Sequence, residues 1–535
     1  MRALLKRFKP SLFFIIFSLI FVSAFVIRTY HIDLRPFHND EGVNYFFFQN
    51  TRANGYYNYS HLNYHGPSYF YLSTFLTNPS IFGTSEFGVR SSAIFVGLLS
   101  ILLLLSLRRL EGNAFTLLAA FLVTVSSSLV FYSRYAIHET LFVFSGVWLA
   151  ISLYSWWRTG KVSSIYQGGV ALGILMATKE TFIITLFCIF LAFLSLGKYK
   201  TSFLRLHSQW QHVLSALLIT VFIIAFTFTG GFRWMNGLRE MFLAVPQWVG
   251  RNTSDVGHFK SYWYYIEMMF GPQPREFASW LFNVDLGEKI HLKFTSRTEF
   301  QLIGIALIPI LVGLFYVFVK YFQKDNVVPA LNNWCSKIKK SWLEASFFRF
   351  CFVWGILALL VYSYVDYKTP WLIISITFPL NLALACVLSH LFKVYGKLLG
   401  IVLSIPFILI STYMMWQYNF RAGYEFGDRN PYSYTHTSKG MLEVAKMIDD
   451  YKVKNPNVRI LVGTKSYWPL PYYLRGYGML GYEHTTDLNS RKDRYDVMIV
   501  DSTLKWKEKG WSDCVYRRIS DVQEACVYFR KVDKK

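Results

Sequence analysis

Cysteine is sparse in this chain of 535 residues: there are six, none in a CxxC and none at a Cys/His ligand spacing, so no zinc or thiol-redox motif is present. Cys188, Cys351 and Cys386 stand in apolar runs. Cys514 and Cys526 fall together in a polar tail, where they pair if that tail faces an oxidising compartment and otherwise serve as small packing residues. Charge is sparse as well. Only 16% of residues are charged, against about 25% in soluble domains, which argues against an ordinary soluble enzyme. Acids are the scarcer sign, 32 against 55 basic residues, for a formal charge of +23. That surplus would suit nucleic acid, but Lys and Arg gather in short loops between apolar runs, the pattern of membrane topology. Membrane lipids are therefore expected partners and nucleic acid is not. There is also no internal repeat, whereas secondary transporters often carry paired ones.

What the chain has in abundance is apolar and aromatic side chains, 53% and 19% of its residues. Runs approaching the roughly 17–25 residues that cross a bilayer lie at 11–27, 88–107, 114–132, 140–157, 213–231, 300–319, 350–366, 371–389 and 398–416. The stretch 165–197 is too long for one crossing and carries Lys179-Glu180 at its middle. It predicts two short helices meeting in a polar turn, and about eleven crossings in all. Basic residues fit that count, since Arg2, Lys6, Arg7, Arg108, Arg109, Arg158, Lys161, Lys198, Lys200, Lys339, Lys340, Lys393 and Lys397 then share the cytoplasmic side. The first run lacks a small-residue cleavage site and reads as an uncleaved helix. Segment 66–82, broken by Pro67 and Pro79, predicts a helix lying in the outer interface.

Beyond residue 416 hydropathy falls. MLEVAKMIDDYKV has helical period, while VRILVG, YDVMIVD and CVYF read as buried strands. The expected architecture is an all-α polytopic membrane domain over 1–416, with outer loops at 28–87 and 232–299, then a small extracytoplasmic α/β domain over 417–535. The N-terminus is expected on the cytoplasmic side of the cell membrane.

The unusual polar groups all map to the outer ends of the spans: Asp40-Glu41, His65, Arg134, His138-Glu139, Lys179-Glu180, Asp366, Lys368 and Trp371. Ionisable groups at membrane depth are costly and commonly face a cavity or a partner. Successive residues cannot share one helix face, so one carboxylate of Asp40-Glu41 is free to face a ligand while the other pairs with a cation or caps a helix. Arg134, Lys179 and Lys368 are candidates to grip a phosphate. Against these readings stand plainer ones: a cap for the acidic pair, an interfacial turn at His65-Gly66-Pro67, a surface ion pair for Arg134, and snorkelling for Lys368. His65, His138, Glu139, Asp366 and Trp371 complete the candidate substrate contacts.

The order of FHNDEG, YHGPSYFYL, FGTSEFGVRSSAIFVGLLS, SRYAIHETL, ATKET, HFKSYWYYI, DYKTPWL, PYSYTHTS and SYWPLPYYLR resembles the archaeal and bacterial membrane family named flippase-activity-associated in N-glycan assembly. That family is similar to the dolichyl-phosphate-mannose protein mannosyltransferases, in the GT-C superfamily of lipid-carrier glycosyltransferases. The resemblance implies a GT-C fold and inverting transfer of a sugar from a polyprenyl phosphate to a glycan, lipid or protein acceptor. It places the catalytic acid of the first outer loop at Asp40, with Glu41 beside it. Metal use stays open, because GT-C enzymes differ and this first loop has no DxD. No cofactor is certain, and Asp40, Glu41, His138 and Glu139 offer an oxygen-and-imidazole set for Mg or Mn. The alternatives are a lipid-linked sugar translocase or its accessory protein, and a glycan-binding tail on a membrane anchor.

Overall fold

The computed structural model describes residues 11–63, 65–254, 260–270, 345–424, 427, 429–520 and 523–531. Helix α1 (Leu12–Thr29) is followed by a turn and then by α2 (Asn39–Asn54) and α3 (Ser68–Leu76). Next come α4 (Glu86–Leu103), the bent pair α5 (Asn113–Val125) and α6 (Ser127–Ser133), and α7 (Glu139–Thr159). Then follow α8 (Val162–Met176), α9 (Phe182–Leu194), α10 (Tyr199–Ser208) and α11 (Trp210–Phe228). Helices α12 (Asn236–Ser254), α13 (Tyr264–Phe270) and α14 (Ser346–Tyr364) lead to two crossings, α15 (Pro370–Gly396) and α16 (Leu398–Phe420). The last two meet at Gly396, whose φ of 78° is left-handed and suits glycine.

Among the described residues seven helices are long and apolar enough to cross a membrane, or nine when each of two bent pairs is one span. This is a multi-pass membrane chain. The count is below the eleven expected from sequence, and the run at 300–319 lies outside the described residues. The stretch 165–197 does break as anticipated: α8 ends at Met176, α9 starts at Phe182, and Lys179-Glu180 occupy the turn between them. Helix α10 turns 116° away from α9 and buries none of its residues. Its exposed Phe203 and Leu204 beside basic residues are the pattern of a helix lying in the interface. Helix α3 is less peripheral than its sequence suggested, because Tyr69, Phe70, Ser73 and Leu76 are buried.

The tail forms one five-stranded sheet in the order β2-β1-β3-β5-β4, from β1 (Ile460–Val462), β2 (Leu480–Tyr482), β3 (Val497–Asp501), β4 (Val515–Arg518) and β5 (Glu524–Phe529). Strand β1 pairs parallel with β2 and β3, with Leu461 opposite Met498, while β5 runs antiparallel between β3 and β4. Helix α17 (Lys439–Lys454) buries Met441, Val444 and Ile448, at i, i+3 and i+7, against Ile460 and Ile499 in one core. Cys514 and Cys526 are disulfide-bonded, joining the start of β4 to β5.

Candidate active site

The start of α2 separates the two acids. His38 is the N-cap: its Nδ1 accepts from the Asp40 N–H at 3.1 Å, and its own N–H donates to Glu41 Oε2 at 3.0 Å, a closed capping box. Because Nδ1 accepts, Nε2 carries the ring proton and donates to the Tyr434 carbonyl at 2.8 Å. Glu41 is wholly buried. Arg90 of α4 grips it in two hydrogen bonds of 2.7 and 2.8 Å, and the Ala136 N–H donates at 2.9 Å. Burial alone would raise the Glu41 pKa, but the charge and hydrogen bonds of Arg90 with the His38 and Ala136 amides outweigh it, so the carboxyl sits below the usual range. Asp40, one residue earlier, points elsewhere. Its side chain is 40% exposed, and its near neighbours are Asn39 Nδ2 at 3.3 Å and His38 Nδ1 at 3.8 Å.

Aromatic rings gather beside His38, two residues from Asp40. Trp371 meets His38 at 6.3 Å and Tyr434 at 6.1 Å, and His436 lies 5.4 Å from the His38 ring. Burial, then His38, hold His436 well below its ordinary pKa, so it is a neutral imidazole. Lys260 stands over Tyr434 at 5.7 Å, and two residues on, Tyr262 lies 5.4 Å from the Lys368 Nζ. Lys368 is fully buried, yet its ammonium has no hydrogen-bond partner among the described residues. Asp366 is exposed and acts on Lys368 through charge.

A second such cation is Arg35, five residues before Asp40. It is buried over the Phe131 ring at 4.0 Å, and both terminal nitrogens lack a hydrogen-bond partner among the described residues. Burial first, then the like charge of Arg90, lower its pKa to about 10, so it remains a cation at neutral pH. In the sequence Arg35 belongs to no charged pair, and its one signal is its position between the first span and the acidic pair.

The other candidates form a separate, closed cluster. Lys179 and Glu139 are both buried and meet at 2.5 Å. Glu180 pairs with His65 at 3.4 Å, and the His65 ring packs on His138 at 4.9 Å. His138 is buried among Tyr69 and Phe70, with Nε2 lacking a partner among the described residues. Arg134 belongs to neither group. Its guanidinium donates to the carbonyls of Ile27, Tyr30 and His31 at 2.6–2.8 Å, which caps the C-terminal end of α1. The structure brings neither Arg134 nor Lys179 to Asp40: one is held by backbone oxygens and the other by a carboxylate. The donor set for Mg or Mn does not assemble either. Glu41 is held by Arg90 and Glu139 by Lys179, and among the described residues no group of three or more His, Cys, Asp or Glu is placed to hold a metal. Of the outer loop 232–299, residues 255–259 and 271–299 lie outside the described residues.

Apolar spans, an acid on the first loop helix and a small mixed-sheet tail together make a polytopic helical membrane fold with a C-terminal α/β unit. The fold is similar to that of ArnT from Cupriavidus metallidurans bound to undecaprenyl phosphate, at 12% identity and a TM-score of 0.55, covering 96% of this chain and 97% of that one. It is also similar to the same protein in the apo state, at 12% identity and a TM-score of 0.53, with the same coverage. An oligosaccharyltransferase of Archaeoglobus fulgidus, in complex with Zn and sulfate, gives 11% identity and a TM-score of 0.49 over 91% of this chain and 68% of that one. The profile of the dolichyl-phosphate-mannose-protein mannosyltransferase family matches residues 64–227. No curated protein matches the sequence.

Proposed function

We propose that this chain is a membrane glycosyltransferase that moves a sugar from a polyprenyl-phosphate carrier to an acceptor hydroxyl on a glycan, lipid or protein. The single observation that carries the reading is the division of labour at α2: a buried, ion-paired Glu41 fixes the helix start while the neighbouring Asp40 carboxylate is left open. The match to the mannosyltransferase profile and a fold shared with a protein that binds undecaprenyl phosphate support the donor class.

In this reaction Asp40 accepts the proton of the acceptor hydroxyl as that oxygen attacks C1 of the sugar. The C1–O bond to the carrier breaks, the electron pair leaves with the phosphate, and one displacement inverts C1. Arg35 and Lys368 lack hydrogen-bond partners among the described residues and offer charge to the departing phosphate. Trp371 and Tyr434 supply flat apolar faces for the sugar. No metal enters this scheme. The distribution of basic loops supports a cytoplasmic N-terminus, with the site and the C-terminal domain outside.

The test is purified full-length protein in nanodiscs given radiolabelled undecaprenyl-phosphate hexoses and cell-envelope acceptors. Label transferred to an acceptor is the expected result. Label that crosses liposome membranes with no transfer would instead establish a translocase, which would use the same cations to bind headgroups.

A further inference from the structure

The tail motif SYWPLPYYL takes no part in that chemistry, yet it joins the C-terminal domain to the helix of Asp40. A Cβ added at Gly42 would stand 2.7 Å from Pro469 Cβ and 2.8 Å from Pro469 Cα, so the motif seats directly on the α2 backbone. The Phe37 ring packs on Tyr472 at 4.1 Å, and the Tyr472 hydroxyl donates to the Thr84 carbonyl at 3.1 Å. The Tyr473 hydroxyl does more. It accepts from the Phe37 N–H at 2.8 Å and donates to Glu86 Oε1 at 3.2 Å. Glu86 Oε2 lies 3.8 Å from Arg90, whose guanidinium grips Glu41 and also donates to the Ile32 and Pro36 carbonyls. Glu41 in turn accepts the His38 N–H. One hydroxyl from the C-terminal domain thus closes a ring that runs Phe37, Tyr473, Glu86, Arg90, Glu41, His38 and encloses the turn leading to Asp40. Burial and the neighbouring Glu86 keep the phenol protonated as a donor.

We infer that Tyr473 is a positioning residue: its hydroxyl braces residues 36–41 and so fixes where the Asp40 carboxylate stands. The kinetic arm of the test rests on the glycosyltransfer reading; the exchange arm does not. In the full chain, Tyr473→Phe should speed amide hydrogen exchange over residues 36–42 at least fivefold. It should also lower kcat for sugar transfer about tenfold, with the donor KM within twofold of wild type, because Asp40 acts on the reacting acceptor rather than in donor binding. Tyr472→Phe removes a hydroxyl from the same interface without touching the ring and should leave both readouts within twofold. Gly42→Ala, which keeps every ring member but pushes Pro469 off α2, should reproduce the Tyr473→Phe pattern and replaces that variant where it fails to fold. Wild-type exchange in Tyr473→Phe, wild-type kcat despite faster exchange, or an equal loss in Tyr472→Phe would each overturn the inference. Absence of transfer by the wild type would overturn the glycosyltransfer reading and leave exchange to decide the brace alone.

Discussion

The two polar clusters on the Asp40 side of the fold look alike in sequence and differ in occupancy. Around Lys179, the polar groups answer each other: buried Lys179 with buried Glu139, and half-buried Glu180 with His65. The Asp40 carboxylate is instead 40% exposed, and the cations Arg35 and Lys368 lack hydrogen-bond partners among the described residues. Ion pairing between buried groups removes their capacity to receive a ligand, because separating them again costs the desolvation of both. Unpaired buried charge is tolerated only where something else compensates it. The difference therefore sorts architecture from chemistry more sharply than position in the sequence does.

The sharpest break in that comparison is expected at Glu41. Glu41→Gln strips buried Arg90 of its hydrogen-bonded carboxylate, leaving only Glu86 at 3.8 Å, and should lower unfolding stability in detergent by about 3 kcal/mol. Its carboxyl sits below the range it has in the unfolded chain. The stability it contributes is therefore present above the unfolded pKa of about 4.3 and is lost as pH falls through the folded value. Wild-type protein should thus lose stability on acidification more steeply than Glu41→Gln does. Equal acid limbs would show that the pair is not what holds the turn.

A comparable effect is expected in the closed cluster. Lys179→Met should cost about 3 kcal/mol by stranding Glu139, while Lys179→Met with Glu139→Leu should recover most of that loss, since removing both partners leaves no buried charge. Thermal unfolding of the two variants checks this, and a double variant no better than the single would place Lys179 outside the architectural class. The smallest effect on stability is expected at Lys368. Lys368→Met removes a buried ammonium without a hydrogen-bond partner among the described residues and should leave stability unchanged or raised. It should weaken the donor KM roughly tenfold, the size of one lost charge-assisted hydrogen bond. A donor KM that does not move would take Lys368 out of the phosphate site.

Much of this was legible in the chain. Apolar runs marked the spans, and Lys179-Glu180 marked the break between α8 and α9, because a charged pair cannot sit unaided in hydrocarbon. Strands β1, β3 and β5 announced themselves as apolar runs. Strands β2 and β4 did not: LGY is three residues long and half exposed, and VYRR alternates between half-buried and exposed positions with two arginines. At the site, the inequality of Asp40 and Glu41 followed from helix geometry, but the partner of Glu41 did not. Arg90 sits inside an apolar run, and nothing local says which acid it meets 49 residues away. The partners of Arg134 were hidden for a related reason. Its partners are backbone carbonyls, and a carbonyl that ends a helix leaves no mark on residue identity.

On the proposed chemistry Asp40, and not its buried neighbour, takes the acceptor proton. Single-turnover transfer by Asp40→Asn in nanodiscs, with unfolding followed on the same sample, tests it most directly. Stability should stay within about 0.5 kcal/mol of wild type and the rate should fall roughly 10²–10⁴-fold. Transfer at the wild-type rate by a stable Asp40→Asn protein would contradict it.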